Sequence, residues 1–126
     1  MKYKRIVAKF GTNLLTGGTD SLDNRIISDL VDQVARLHQE GFEILIVTSG
    51  AVAAGRAKLK LGKYNRDIPF KQVLASLGQS RLMFVYEQLF EKHNINVAQA
   101  LLTKSYLVNR TGYINARNTL LSLIDL

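Results

Sequence analysis

Two short stretches carry the residue types that could hold a charged substrate. In the first, Lys9 lies at the end of an apolar run, Arg5 to Phe10, and Gly11 and Thr12 follow at once. In the second, the apolar residues Ile44 to Val47 stop at Thr48, Ser49 and Gly50, and small residues continue from Ala51 to Gly55. An ammonium beside loop amides suits a phosphate, and the Ser49 hydroxyl can donate or accept. A chain that opens through Ser-Gly into a helix presents unpaired N–H groups and partial positive charge, which favour an anion. The small side chains of Gly50 and Ala51 let a ligand approach the backbone. Each stretch also has an ordinary reading. Ser49 could be the N-cap of a plain strand-to-helix turn, and Lys9 could close its strand and point to solvent.

The elements around these residues place them. Arg5–Phe10 reads as a strand, and Ile44–Val47 as a second one buried on both faces, as in parallel sheets. In open α/β sheets, ligands sit beyond the carboxyl ends of the strands, where both stretches lie. Between them, Thr16–Asp20 is a loop. Asp23 to Glu40 then carries a helical stripe of Ile26, Ile27, Leu30, Val34 and Leu37, with Asp23 as N-cap and Gly41 as stop. After the small-residue turn, a short helix is expected to end at Gly62 and a loop to cover Lys63–Pro69. Pro69 opens a helix to about Lys92 whose apolar face includes Val73, Leu74, Leu77, Leu82, Val85, Leu89 and Phe90. The spacing slips at Gly78, which predicts a close backbone approach there. Asn94 is expected to end this helix in a left-handed conformation. Ile95–Thr103 reads as a third strand, and a last helix from about Arg110 carries Tyr113, Ala116, Leu120, Leu123 and Ile124 on one face. His38 and His93 read as surface histidines.

Strands alternating with helices predict an α/β fold: a three-layer α-β-α arrangement with a mainly parallel sheet and right-handed crossovers. Three strands make a small parallel sheet with uncovered apolar edges, and the chain stops on the apolar SLIDL. The expectation is part of a larger fold that self-associates into a homo-oligomer.

Composition narrows the function classes. With no cysteine there is no disulfide, catalytic thiol or thiolate-bound metal. Hydrophobic residues at 47% and charged residues at 21%, with one proline, describe an ordinary globular chain. No apolar run approaches a membrane span and no signal-peptide core opens the chain, so no membrane partner and a cytoplasmic location are expected. The formal charge is +7, and Arg56, Lys58, Lys60, Lys63, Arg66 and Lys71 face only Asp67 in their segment. With one aromatic, Tyr64, before Phe70 and no nucleic-acid motif, that stretch reads as a solvated surface and not as a nucleic-acid interface.

Four blocks together carry a resemblance: VAKFGTNLLT at 7–16, VTSGAVAAGR at 47–56, LASLGQSRLM at 74–83, and AQALLT with RTGYINARNTL at 98–103 and 110–120. In this order and spacing the chain resembles the N-terminal half of the glutamate 5-kinase group of the amino acid kinase family. The resemblance implies that residues 1–126 are the glutamate-binding part of one kinase domain. It implies phosphorylation of the side-chain carboxylate of L-glutamate by ATP, with Mg²⁺, as the first step of proline biosynthesis, and proline as a feedback inhibitor. It assigns Lys9 to the ATP phosphates as a catalytic residue, with Gly11 and Thr12 as the loop beside it. It assigns Ser49, Gly50 and Ala51 to glutamate. No metal ligand is assigned within the chain, because the family's remaining substrate, phosphate and nucleotide-base residues match no position here. Phe10 stands where a smaller residue is common, and Ser105-Tyr106 replaces an acidic residue often found after Leu-Leu-Thr.

The reaction class suits the residues. A carboxylate ionised at neutral pH attacks phosphorus without a base, so positioning and charge neutralisation are what the protein must supply. Lys9 and the loop amides could stabilise the transferring phosphoryl group. A rival of another class is a non-catalytic half-domain that binds glutamate or proline. A dinucleotide-binding domain is disfavoured, because no Gly-x-Gly-x-x-Gly follows the first strand.

Overall fold

The computed structural model describes residues 3–60 and 68–126. Its chain divides into two compact units, Met1–Asn96 and Val97–Leu126.

In the first unit, strand β1 (Arg5–Phe10) leads through the single turn of α1 (Thr12–Thr16) and the long α2 (Asn24–Gln39) to β2 (Glu43–Thr48). The strands pair in parallel from Arg5 opposite Glu43 to Phe10 opposite Thr48. This is the parallel pairing and helical crossover expected of the α/β class. The ladder is held at both ends. At its start, Glu43 receives Lys4 Nζ at 3.0 Å and Arg5 Nε at 2.8 Å, while its N–H donates to the Lys4 carbonyl at 2.9 Å. At its finish, the Ser49 N–H donates to the Phe10 carbonyl at 3.0 Å.

Helix α2 follows its sequence signals. The Asp23 carboxylate accepts from the Arg25 and Ile26 N–H groups, a cap worth about 1 kcal/mol. Gly41 at φ 94° follows its last turn. The buried line runs through Ile27, Val31, Val34 and Ala35, so its centre is Val31, beside the expected stripe.

After β2, α3 (Ala51–Leu59) packs on α4 (Ile68–Glu91). At their crossing the two backbones touch. A Cβ on Gly78 would collide with the Ala51 carbonyl and the Gly55 amide, and one on Gly55 with the Leu74 carbonyl. The close approach expected at Gly78 is present, and the AVAAG run is small because a backbone lies against it. The buried residues of α4 step by four, through Leu74, Gly78, Leu82, Tyr86 and Phe90. A four-residue step precesses by about 40° per turn, so this line slants across the helix. Asn94 takes the left-handed conformation, φ 55°, as expected. His93 is paired, its Nε2 lying 2.8 Å from the Asp32 carboxylate of α2.

Three expectations are corrected. Helix α3 ends at Leu59 with Lys60 left-handed at φ 54°, ahead of the stop expected at Gly62, which lies outside the described residues. Most of the expected loop (Lys63, Tyr64, Arg66 and Asp67 included) also falls outside them, and Ile68 and Pro69 already belong to the first turn of α4. Second, β2 is not closed on both faces: Val47 is 48% exposed, beside Val7 at 62%. Ile6, Ala8 and Phe10 turn towards the core while Arg5, Val7 and Lys9 stay open, so the helices of this unit cover one face. Third, Ile95–Thr103 forms no strand. The sheet of the described residues has two strands, and Leu101 is 75% exposed. An apolar run becomes a strand only where a neighbouring edge accepts its backbone hydrogen bonds.

The second unit contains α5 (Lys104–Val108) and α6 (Arg110–Asp125). Thr103 Oγ1 caps α5 by accepting from the Tyr106 N–H at 3.2 Å, and Ser105 Oγ lies 3.1 Å from the same hydroxyl. Asn109 Oδ1 caps α6 through the Gly112 N–H at 3.1 Å. Among the described residues, no helix is long and apolar enough to cross a membrane.

Candidate functional site

Parallel strands end on the same side, so the loops after β1 and β2 are neighbours. The fold uses that adjacency directly. Thr12 Oγ1 and Ser49 Oγ are 2.9 Å apart, and Ser49 Oγ also donates to the Phe10 carbonyl at 3.3 Å. A hydroxyl has one hydrogen. With that of Ser49 on Phe10, the Thr12 hydroxyl is the donor between them, and Ser49 keeps a free lone pair. Both hydroxyl side chains are exposed.

Gly11 is the N-cap of α1 and Gly50 the N-cap of α3, and neither helix has a side-chain cap. The N–H groups of their first turns therefore have no partner within the helix. Helices α2, α5 and α6, by contrast, are closed by Asp23, Thr103 and Asn109. Gly50 at φ 111° and ψ −2° makes the turn from β2 into α3 in a conformation that favours glycine. Leu15, Leu22 and Leu82 pack where its side chain would be, and the burial of Leu15 and Leu82 seats the turn on the core. Ala51 follows as the first residue of α3, half-buried.

Lys9 lies opposite Val47 on the open face of the sheet, one residue before the loop. It is exposed and makes no hydrogen bond or ion pair among the described residues. Its ammonium is available to an anion at that end of the sheet. The structure thus brings Gly11, Thr12, Ser49, Gly50 and Ala51 to one edge, with Lys9 at the rim.

Sequence reasoning missed a second layer. Thr48 Oγ1 lies 2.7 Å from the Tyr86 hydroxyl and donates to the Ser49 carbonyl at 2.9 Å. Burial pushes the Tyr86 phenol above its ordinary value of 10.0, and the hydrogen bond to Thr48 opposes that shift. The signal available was positional: Tyr86 is four residues from Leu82 and from Phe90 and shares their slanted line. An open groove between α2 and α4, lined by Asn24, Arg25, Asp29, Arg81, Val85 and Gln88, includes none of the expected site residues.

The amino acid kinase family model matches residues 4–125. The chain belongs to the amino acid kinase family. Among curated relatives it is similar to a glutamate 5-kinase of Dehalococcoides mccartyi, 60% identical over 124 residues that cover 98% of this chain and 33% of the relative. It is 47% identical to a glutamate 5-kinase of Herpetosiphon aurantiacus, over 98% of this chain and 34% of that protein. A third, from Haemophilus influenzae, is 45% identical over 99% of the chain and 34% of the relative. The chain spans about a third of the length of these relatives. As a member of the amino acid kinase family it has the α/β class read from its strands and crossovers.

Proposed function

We propose that this chain is the glutamate-binding, N-terminal part of a kinase domain that transfers the γ-phosphoryl group of ATP to the side-chain carboxylate of L-glutamate. The product is L-glutamyl 5-phosphate, and the step would open proline biosynthesis in the cytoplasm. The observation that carries the reading is the Thr12–Ser49 contact, which joins two uncapped helix starts at one sheet edge beside Lys9, which has no partner among the described residues. The similarity to relatives named glutamate 5-kinase supports the choice of substrate.

In this reading, a glutamate carboxylate oxygen attacks the γ-phosphorus, the bond from that phosphorus to the bridging oxygen breaks, and ADP leaves. Lys9 and the amides after Gly11 hold the phosphate oxygens and offset the charge that spreads over them. The Ser49 hydroxyl turns from Phe10 to donate to glutamate, and the amides that follow Gly50 hold the amino acid in line. Mg²⁺ would neutralise charge on the ATP phosphates. The described residues contain no group of three or more acidic or histidine side chains to cage it. Such an ion commonly keeps most of its ligands from phosphate and water. Proline as a ligand of the same turn, and assembly into a homo-oligomer through the open apolar surfaces, belong to the same proposal.

The test is formation of γ-glutamyl hydroxamate from glutamate, ATP, Mg²⁺ and hydroxylamine by the intact protein. Glutamate-dependent product is expected. A folded protein that binds glutamate without forming product would favour the non-catalytic reading instead.

A further inference from the structure

The Ser49 turn is also held by a hydroxyl relay that starts from the buried Tyr86. The Thr48 hydroxyl has one hydrogen, and the Ser49 carbonyl 2.9 Å away can only accept it. The Tyr86 phenol, 2.7 Å from Thr48 Oγ1, must then be the donor to Thr48. The relay therefore runs one way, from Tyr86 to Thr48 to the Ser49 carbonyl. A trans peptide is planar, so holding that carbonyl turns the Gly50 N–H to the opposite side, away from Tyr86. Tyr86 is 3% exposed, in line with Leu82 and Phe90. A phenylalanine would fill that space with no polar atom to satisfy, so the hydroxyl is not needed for packing. It ends on the one peptide that joins Ser49 to the left-handed Gly50.

We propose that Tyr86 is a positioning residue for the Ser49–Gly50–Ala51 turn: through Thr48 it fixes the Ser49–Gly50 peptide, and with it the geometry offered to the amino-acid substrate. The inference rests on the reading of Ser49 as substrate-binding. It adds two residues, on a strand end and in the C-terminal third of α4, that act without touching the ligand.

Steady-state kinetics of the intact protein test it. Tyr86→Phe should raise the KM for glutamate about three- to tenfold, the range that loss of one hydrogen bond gives. The KM for ATP and kcat should stay within about twofold, because the phosphate-side loop is untouched. Thr48→Val should do the same. The double variant should be no worse than the more impaired single variant, because both break one relay. Thr48→Ser, which keeps the hydroxyl, should stay near wild type. A glutamate KM unmoved by Tyr86→Phe, or effects that add in the double variant, would overturn the inference. If the unaltered protein makes no glutamyl product, the functional proposal fails first, and the relay is then judged by the Gly50 amide resonance of ¹⁵N-labelled protein. That resonance should move in Tyr86→Phe and Thr48→Val and return in Thr48→Ser. An unmoved resonance would sink the relay by itself.

Discussion

The hydroxyl oxygens of Thr12 and Ser49 meet at 2.9 Å across 37 positions of sequence. Each belongs to the turn that follows one of two paired strands, so the contact closes the carboxyl edge of the sheet. Each hydroxyl can also be released to a ligand, because Phe10 and the neighbouring hydroxyl are exchangeable partners. An arriving carboxylate takes a charge-assisted hydrogen bond in place of a neutral one.

Ser49→Ala should weaken glutamate binding at least about tenfold, close to 1.4 kcal/mol, with the KM for ATP little changed. Thr12→Val should have a smaller effect on the same constant. Equal losses for both substrates would show that the turn does not separate them.

Lys9→Ala should act mainly on turnover, lowering kcat by at least about tenfold while the KM for glutamate holds, because in the proposed reaction its charge acts on the transferring phosphoryl group. Single-turnover measurements with saturating ATP read this directly. An unchanged kcat would remove Lys9 from the chemistry.

Gly78→Ala should destabilise the fold by about 3 kcal/mol or more, since the added methyl meets the Ala51 carbonyl and not a side chain that can swing away. Denaturant midpoints compare it with Ser80→Ala, an exposed position of the same helix, which should be near neutral.

Glu43 sets an acid limit. Hydrogen bonds from Lys4 and then Arg5 hold its carboxyl below the ordinary value of 4.5, against a smaller opposing effect of desolvation. Its contribution is therefore present above that value and is lost as pH falls through the lower, folded one. Glu43→Gln should flatten the stability profile below about pH 4.5 and leave it parallel to wild type near neutrality. At the alkaline end the sign reverses. Tyr86, held protonated by burial, contributes stability below 10.0 that is lost as pH rises above it, so Tyr86→Phe should flatten that limb. Thermal melts across pH read both.

The open sheet face should govern association. Replacing Val7 and Val47 with threonine keeps β-branching, should cost little stability, and should shift sedimentation towards monomer. A distribution unchanged by the pair would place any self-association elsewhere.

Much of this was legible because it is local. Strand β1 matches its apolar run, Asp23 caps α2, Gly78 marks a close approach and Asn94 ends α4 left-handed. The Asp23 cap and the Asn94 turn depend on neighbours within a turn or two, while the β1 run and Gly78 carry their signal in residue type alone although their partners, β2 and α3, are distant. The rest required distant partners. Ile95–Thr103 has the composition of a strand, and no ladder received it. Helices α1 and α5 are too short to show a period. Tyr86 lies outside the apolar face expected along α4, because the buried line slants by steps of four and takes in a polar-tipped residue. The candidate residues at the carboxyl edge of the sheet were readable as a set, but the bond joining Thr12 to Ser49 belongs to the fold.

The contact between Gly55 and Gly78 also has a kinematic consequence. With backbone seated on backbone at this crossing, no side chain lies between α3 and α4 there, which opposes sliding and favours their moving together as one lever. The short arm of that lever ends at Gly50, beside the Ser49 hydroxyl. Its long arm ends at Phe90, near the His93–Asp32 pair. A movement of the turn is therefore expected to carry the far end of α4 with it.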